Sequence, residues 1–361
     1  MDLALPLFEQ TLAAVKAKLG VDHPSTLLSM GNLASGYMAA GKPDLALPLF
    51  EETLKVRKAK LGADHPDTLT SMNNLAFGYE AVGKRDLALP LHEESLKLKK
   101  AKLGADHSET LTSMGNLGNG YRAAGKLDQA LPLLEETLKL VRTKLGADHS
   151  YALTSMNNLA LGYQDAGKLD LALPLFQEAV ASIEKLRFQH LHAGLIVPNL
   201  IACHEQLKQF DQAETWRRKW LAVVKERSGA DSAAYAVELA LLGSNLLQLQ
   251  KWTESESVLR ECRDIREKIE PDSWTTFNTQ SMLGAALQGQ RKYAEAEPLL
   301  LAGYEGMKKP TKTIPASSAK RLLVALDRLI EVYTMLEKPD EVTKWQAERA
   351  KNLAEETTEK K

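Results

Sequence analysis

A motif that returns at a fixed step dominates this chain. Asp2, Asp44, Asp86, Asp128 and Asp170 each open a copy of D-[LQ]-A-L-P-L-x-[EQ], each 42 residues after the one before. A constant period of this size marks stacked supersecondary units rather than one closed globular core. Such units bury their apolar faces against their neighbours and leave a long surface free for partners. The pattern therefore predicts a binding scaffold.

Residues 66 to 107 read as one complete unit. Pro66 suits the first turn of a helix, where a missing N–H costs little. Met72, Leu75, Ala76 and Tyr79 then recur at helical spacing, and Gly83 ends that helix. Asp86 opens a second helix with Ala88, Leu91, Leu96 and Leu98 on its apolar side. Lys99, Lys100 and Lys102 fill its last turn, where cations suit the helix dipole. Gly104 follows as a C-terminal stop. Each unit is thus predicted to be two antiparallel helices with two short loops.

The run M-N-N-L-A-x-G-Y-x-A-x-G-K-x-D-L-A-L-P-L resembles a tetratricopeptide repeat, whose pattern Leu75, Ala76, Tyr79, Gly83 and Ala88 supply. The 42-residue step and the L-G-x-D-H-[PS] loop, at Leu61–Pro66 and Leu103–Ser108, resemble the kinesin light chain subtype. The resemblance implies an all-α, right-handed solenoid of antiparallel helix pairs, about eight in all. Residues 1–183 carry the near-consensus repeats, starting with a half-unit, because Asp2 begins a second helix with no first helix before it. The half-unit predicts either a longer natural chain or a crude cap, and possible self-association through that end. Residues 184–361 read as degenerate repeats of the same solenoid with a charged C-terminal cap. There Asp211, Thr253, Ala294 and Asp340 fall 41, 42, 41 and 46 residues after their predecessors. All five tryptophans lie in this half, Pro198 falls inside a predicted helix, and Lys308–Ser318 reads as a long loop. This half also resembles the C-terminal repeat arrays of bacterial multidomain serine/threonine kinases.

Composition narrows the function further. Lys plus Arg total 46 against 47 Asp plus Glu, so bulk charge offers nothing to nucleic acid or an anionic membrane. Two cysteines, Cys203 and Cys262, make no disulfide framework. With no signal peptide pattern and no long apolar run, a cytoplasmic protein is expected. G-x-x-x-x-G-K occurs four times, but Pro43, Arg85, Leu127 and Leu169 stand where a phosphate loop needs Ser or Thr. His204-Glu205 begins a zincin-like motif, yet Lys208 occupies the second histidine position, so His204 reads as a core residue. The Asp-His pairs at 22–23, 64–65, 106–107 and 148–149 read as helix caps and loop packing, and His92 as a packing residue. No enzyme, metal or cofactor is expected.

The remaining constellation is polar. Asn32, Asn74, Asn116 and Asn158 share one position of successive first helices, and Asn199 continues the series. Asn73 and Asn157 stand beside them, and Asn119 and Arg122 lie one and two turns on. In the resembled family the first helices line the concave groove, and an Asn at such a position contacts a bound peptide's main chain. An amide offers two donors and two acceptor sites, so a row of them can hold an extended backbone; equally, the amides can tie helix to helix. The predicted partner is a protein or peptide, as an extended or helical segment in the groove. The alternative is a regulatory fragment of a signalling enzyme whose kinase-like catalytic domain lies elsewhere.

Overall fold

A computed structural model describes residues 4–309 and 318–359, which form 17 helices and no strand. The expected loop after Lys308 falls on residues 310–317, outside the described residues, as does Asp2. The chain divides into two compact units, Met1–Cys203 and His204–Lys361. The first unit holds α1 (Ala4–Leu19), α2 (Pro24–Ala39), α3 (Pro43–Leu61), α4 (Pro66–Ala81), α5 (Arg85–Leu103), α6 (Ser108–Ala123), α7 (Leu127–Leu145), α8 (Ser150–Asp165) and α9 (Leu169–Lys185). The division falls within α10 (Ala193–Gln206). The second unit continues with α11 (Phe210–Ser228), α12 (Ala233–Gln248), α13 (Trp252–Ile269), α14 (Trp274–Gly289), α15 (Tyr293–Lys308), α16 (Ser318–Met335) and α17 (Pro339–Glu359). From α1 to α9 and from α11 to α17 each helix packs on its neighbours in the sequence, so each unit is a solenoid of antiparallel helix pairs.

Local chemistry sets the ends of each pair. The first helices begin where a histidine caps them. His23, His65, His107 and His149 each accept, through Nδ1, the backbone N–H two residues on, at 3.2, 3.2, 3.3 and 3.1 Å. The Asp-His loops are therefore caps, a role worth about 1 kcal/mol each. Ser232 and Ser273 cap α12 and α14 through their hydroxyls, accepting the backbone N–H of Tyr235 and of Thr275. Between the paired helices the chain turns through one left-handed residue. In the first unit it is Gly41, Gly83, Gly125 and Gly167, with φ of 69°, 77°, 73° and 72°. In the second unit Lys208, Gln250, Arg291 and Glu337 adopt the same turn, with φ of 56°, 55°, 62° and 56°. Those four residues carry a Cβ that this conformation disfavours.

Pro198 is not the only proline inside a helix. Pro198 does sit inside α10, but Pro48, Pro90, Pro132 and Pro174 stand just as deep inside α3, α5, α7 and α9. Each removes one backbone donor from its helix. The near-consensus repeats thus bear the same burden as α10, and Pro198 does not single out a weak point.

Apolar residues at the facing positions form the core. Met72, Met114 and Met156 are fully buried, as are the small residues Ala34, Ala76 and Ala160. In the second unit Leu287, Leu300, Tyr304, Leu326 and Leu329 pack with Trp345 in one cluster. On the solvent side of the first unit, lysines and arginines of the second helices reach acids of neighbouring repeats, whereas in α11 and α13 Arg218 and Arg260 also pair with Glu214 and Glu256 of their own helix. Lys58 meets Glu94 at 2.8 Å and Arg142 meets Glu178 at 2.6 Å. Lys60, Lys102 and Lys144 reach back to Asp22, Asp64 and Asp106 at 2.9, 3.0 and 2.5 Å. Exposed pairs of this kind each contribute at most ~1 kcal/mol.

Candidate peptide-recognition face

Helices α2, α4, α6 and α8 present the same register, because each starts at the same capped position. The ninth residue of each is Asn32, Asn74, Asn116 and Asn158 in turn. Leu33, Leu75, Leu117 and Leu159 follow directly and are buried at 4, 4, 5 and 4% exposure. That anchoring fixes each helix's rotation and leaves the preceding asparagine at the surface. Asn32 is exposed and the other three are half-buried. Among the described residues none of these four side-chain amides makes a hydrogen bond within the protein.

The neighbouring residues divide. Asn157, adjacent to Asn158, is buried at 1% exposure and accepts a 2.8 Å hydrogen bond from Nδ2 of Asn199. It belongs to the packing of α8 on α10, not to an open face. Asn73 is half-buried with its carbonyl oxygen unpartnered, since Gly115 offers no side chain at that position of α6. Asn119 likewise has an unpartnered, buried carbonyl oxygen. Arg122 donates from Nη1 to Asp165 at 2.8 Å, joining α6 to α8, while its Nε is buried without a partner. Gln164 adds a further unpartnered oxygen on α8. Buried polar atoms without partners are uncommon and costly, and here several gather along one face of three successive helices.

An open cleft of about 360 Å³ interrupts this face between α2 and α4. Ser35, Met38, Phe50, Asn74, Phe77, Gly78 and Ala81 line it. Phe77 is 46% exposed and stands edge-on to His92, with ring centroids 5.4 Å apart. His92 is buried, as a packing residue should be, and its Nε2 lies 3.3 Å from Oε1 of Glu80. The cleft therefore offers an apolar floor beside the amide of Asn74.

A larger cleft of about 620 Å³ lies between α7, α8 and α9, lined by Leu138, Arg142, Tyr163, Pro174 and others. A similar notch forms at Tyr333, Pro339 and Val342 in the second unit. In both, the tyrosine of a first helix meets the start of the second helix that follows it. The tyrosines there do more than pack. Tyr37, Tyr79, Tyr121 and Tyr163 donate to Glu9, Glu51, Glu93 and Glu135 at 2.7, 2.8, 2.6 and 2.7 Å. Burial, and then the glutamate, push the hydroxyls of Tyr79, Tyr121 and Tyr163 up to about 12. Sequence reasoning missed this bond, although a constant Tyr–Glu separation of 28 residues announces it.

His204 is buried and its Nδ1 pairs with Gln209 at 2.7 Å. No cluster of three potential metal ligands occurs among the described residues, and none of their helices is long and apolar enough to cross a membrane.

Comparison with known proteins gives the frame for this face. The curated proteins yield no match. Among solved structures, the chain is 31% identical to a kinesin light chain-like protein of Podosopora anserina with nearly identical TPR-like repeats, covering 52% of this chain and 89% of that one with a TM-score of 0.48. BtubC (BKLC) from P. vanneervenii is 20% identical over 62% of this chain and 91% of its own, with a TM-score of 0.52, a likeness of fold. The tetratricopeptide-repeat profile matches residues 1–59, 30–101, 70–143 and 109–185, half of the sequence. With the helix pairs, the caps and the small-residue positions described above, that match establishes that the chain belongs to the tetratricopeptide-repeat family.

Proposed function

We propose that the first-helix face of unit Met1–Cys203 binds a partner protein through an extended segment. Tetratricopeptide repeats mediate protein–protein interaction. The observation that supports this face is the column of four amides at one register, none bonded within the protein, beside a cleft floored by Phe77. Amides spaced along stacked helices can exchange hydrogen bonds with a main chain, and Phe77 with Met38 gives one apolar side chain a seat. The segment's backbone supplies register-independent affinity and the seated side chain supplies selectivity. Asn73, Asn119 and Arg122, with their unpartnered atoms, extend the same face; Asn157 supports it from beneath. The rival reading, a regulatory part of a larger signalling enzyme, would use the same face for docking; coding sequence for a catalytic domain upstream of Met1 would favour it.

A photo-crosslinking residue tests the reading. Placed at Phe77 it is expected to capture a partner peptide, and placed at Lys97, exposed on α5, it is expected to capture none. Equal capture at both positions, or capture only at Lys97, contradicts it.

A further inference from the structure

The second unit holds a guanidinium that the fold does not neutralise. Arg328 of α16 is half-buried and makes no ion pair among the described residues. Its one hydrogen bond runs from Nη1 to the hydroxyl of Ser281 at 3.1 Å. Burial, and then the nearby charge of Arg321, bring its proton affinity down to about 10. Arg321 itself stacks over the ring of Trp274 at 5.6 Å. Glu331, three residues on, pulls the other way but forms no ion pair with it, and a desolvated cation without a paired acid is costly. Pairing is the rule elsewhere in this unit, where Arg217 meets Glu205 at 2.7 Å and Lys338 meets Glu297 at 2.7 Å.

Arg328 opens into a cleft of about 270 Å³ formed by Leu247 and Gln248 of α12, Trp252 of α13, Ala285, Gln288 and Gly289 of α14, and Glu331 of α16. Gln288 is 6% exposed, and its side-chain oxygen has no partner. The cleft thus combines one unpaired cation with one unpartnered acceptor, between the apolar walls of Leu247 and Trp252. It lies below the ~300–1,000 Å³ typical of cofactor and drug-sized sites, which suits a single side chain. Glu331 stands exposed at the rim. Its charge opposes a doubly charged group such as a phosphate and leaves a single carboxylate tolerated.

We propose that this cleft is a second recognition site, which takes one carboxylate side chain of an acidic partner peptide on Arg328, with a main-chain N–H of that peptide donated to Gln288. The inference stands apart from the amide face of the first unit, since it uses different helices and different chemistry. A planar guanidinium pairs with carboxylate through two parallel bonds, so the site distinguishes Asp or Glu from their amides.

The test uses the full chain and blocked decapeptides of Ala, Gly and Ser carrying one central Asp, Asn or phosphoserine. NMR follows the side-chain N–H of Arg328 and the indole of Trp252 during titration. The Asp peptide is expected to shift both saturably, and the Asn peptide to bind at least tenfold more weakly. Glu331→Gln is expected to tighten the Asp peptide, and Arg328→Gln to abolish its effect on Trp252. Should Arg328→Gln fold poorly, the Asp–Asn contrast on the parent and the Glu331→Gln variant decide. Equal response to Asp and Asn, or no weakening in a folded Arg328→Gln variant, overturns the proposal. So does tighter binding of the phosphoserine peptide, which would mark a phosphopeptide site instead. None of these outcomes depends on Asn74, Asn116 or Asn158.

Discussion

The left-handed turn between paired helices offers a clean perturbation, because the same backbone is built with glycine in one unit and without it in the other. Gly125 has φ of 73° and nothing within 4 Å of where a Cβ would stand. Gly125→Ala therefore introduces no clash, and its cost is conformational alone. A Cβ in this region costs ~1–2 kcal/mol, while the stiffer unfolded chain returns ~0.4–1 kcal/mol. The net expectation is a loss of about 1 kcal/mol. Gln250→Gly runs in reverse: φ of 55° is relieved, and after the entropy of glycine a gain of about 0.5–1 kcal/mol remains. The tryptophans allow the two effects to be separated. All five lie between 216 and 345, so their fluorescence reads the second unit, while far-UV circular dichroism reads the whole chain. In urea titrations, Gln250→Gly is expected to move the fluorescence midpoint upward. Gly125→Ala is expected to move only the dichroism transition downward. A neutral Gly125→Ala, or a Gln250→Gly that destabilises, would refute the claim that these turns demand a left-handed residue.

Three further expectations follow from the same geometry. Helix α1 buries none of its described side chains and leaves Leu7 61% and Phe8 37% exposed, so sedimentation should show concentration-dependent self-association that Leu7→Glu removes; strictly monomeric behaviour at high concentration speaks against it. Four tyrosine hydroxyls bonded to glutamates have raised affinities for their protons, led by the glutamate bond at Tyr37 and by burial at Tyr79, Tyr121 and Tyr163. The unfolded chain then loses those protons first, so their stabilisation is intact below pH ~10 and falls as pH rises toward about 12. Melting curves across that window should flatten when the four become Phe, and an unchanged slope contradicts the assignment. Finally, a Cβ at Gly284 would stand 2.6 Å from Leu300, so Gly284→Ala should destabilise the second unit by ~1–3 kcal/mol in urea titration; a neutral result means that the two helices can separate freely.

The period of 42 made most of the fold legible, because a motif that recurs at one step places every helix at once. Caps and turns were readable as well: His65 precedes Pro66, and Gly83 precedes Lys84, in positions where only a few conformations fit. What escaped the sequence depended on which way a side chain leaves its helix. Asn157 and Asn158 are adjacent and chemically identical, yet roughly 100° of helical rotation buries one against Asn199 and leaves the other unbonded. Lys208, Gln250, Arg291 and Glu337 carry no signal of a left-handed turn in their side chains; the repeat step alone could have placed them. Arg328 was overlooked because an unpaired charge is visible only when its neighbours in space are known.

The amide column on the first unit is tested most directly by changing Asn74, Asn116 and Asn158 together to Ala and measuring, on one preparation, affinity for a captured partner segment and the thermal unfolding of the free protein. Each lost hydrogen bond is worth roughly 0.5–1.5 kcal/mol. Binding by the amides predicts an affinity weakened by about tenfold to a thousandfold, with the melting temperature held, since these side chains have no partner within the fold. Unchanged affinity together with a clear drop in melting temperature would contradict the account and make the asparagines part of the scaffold.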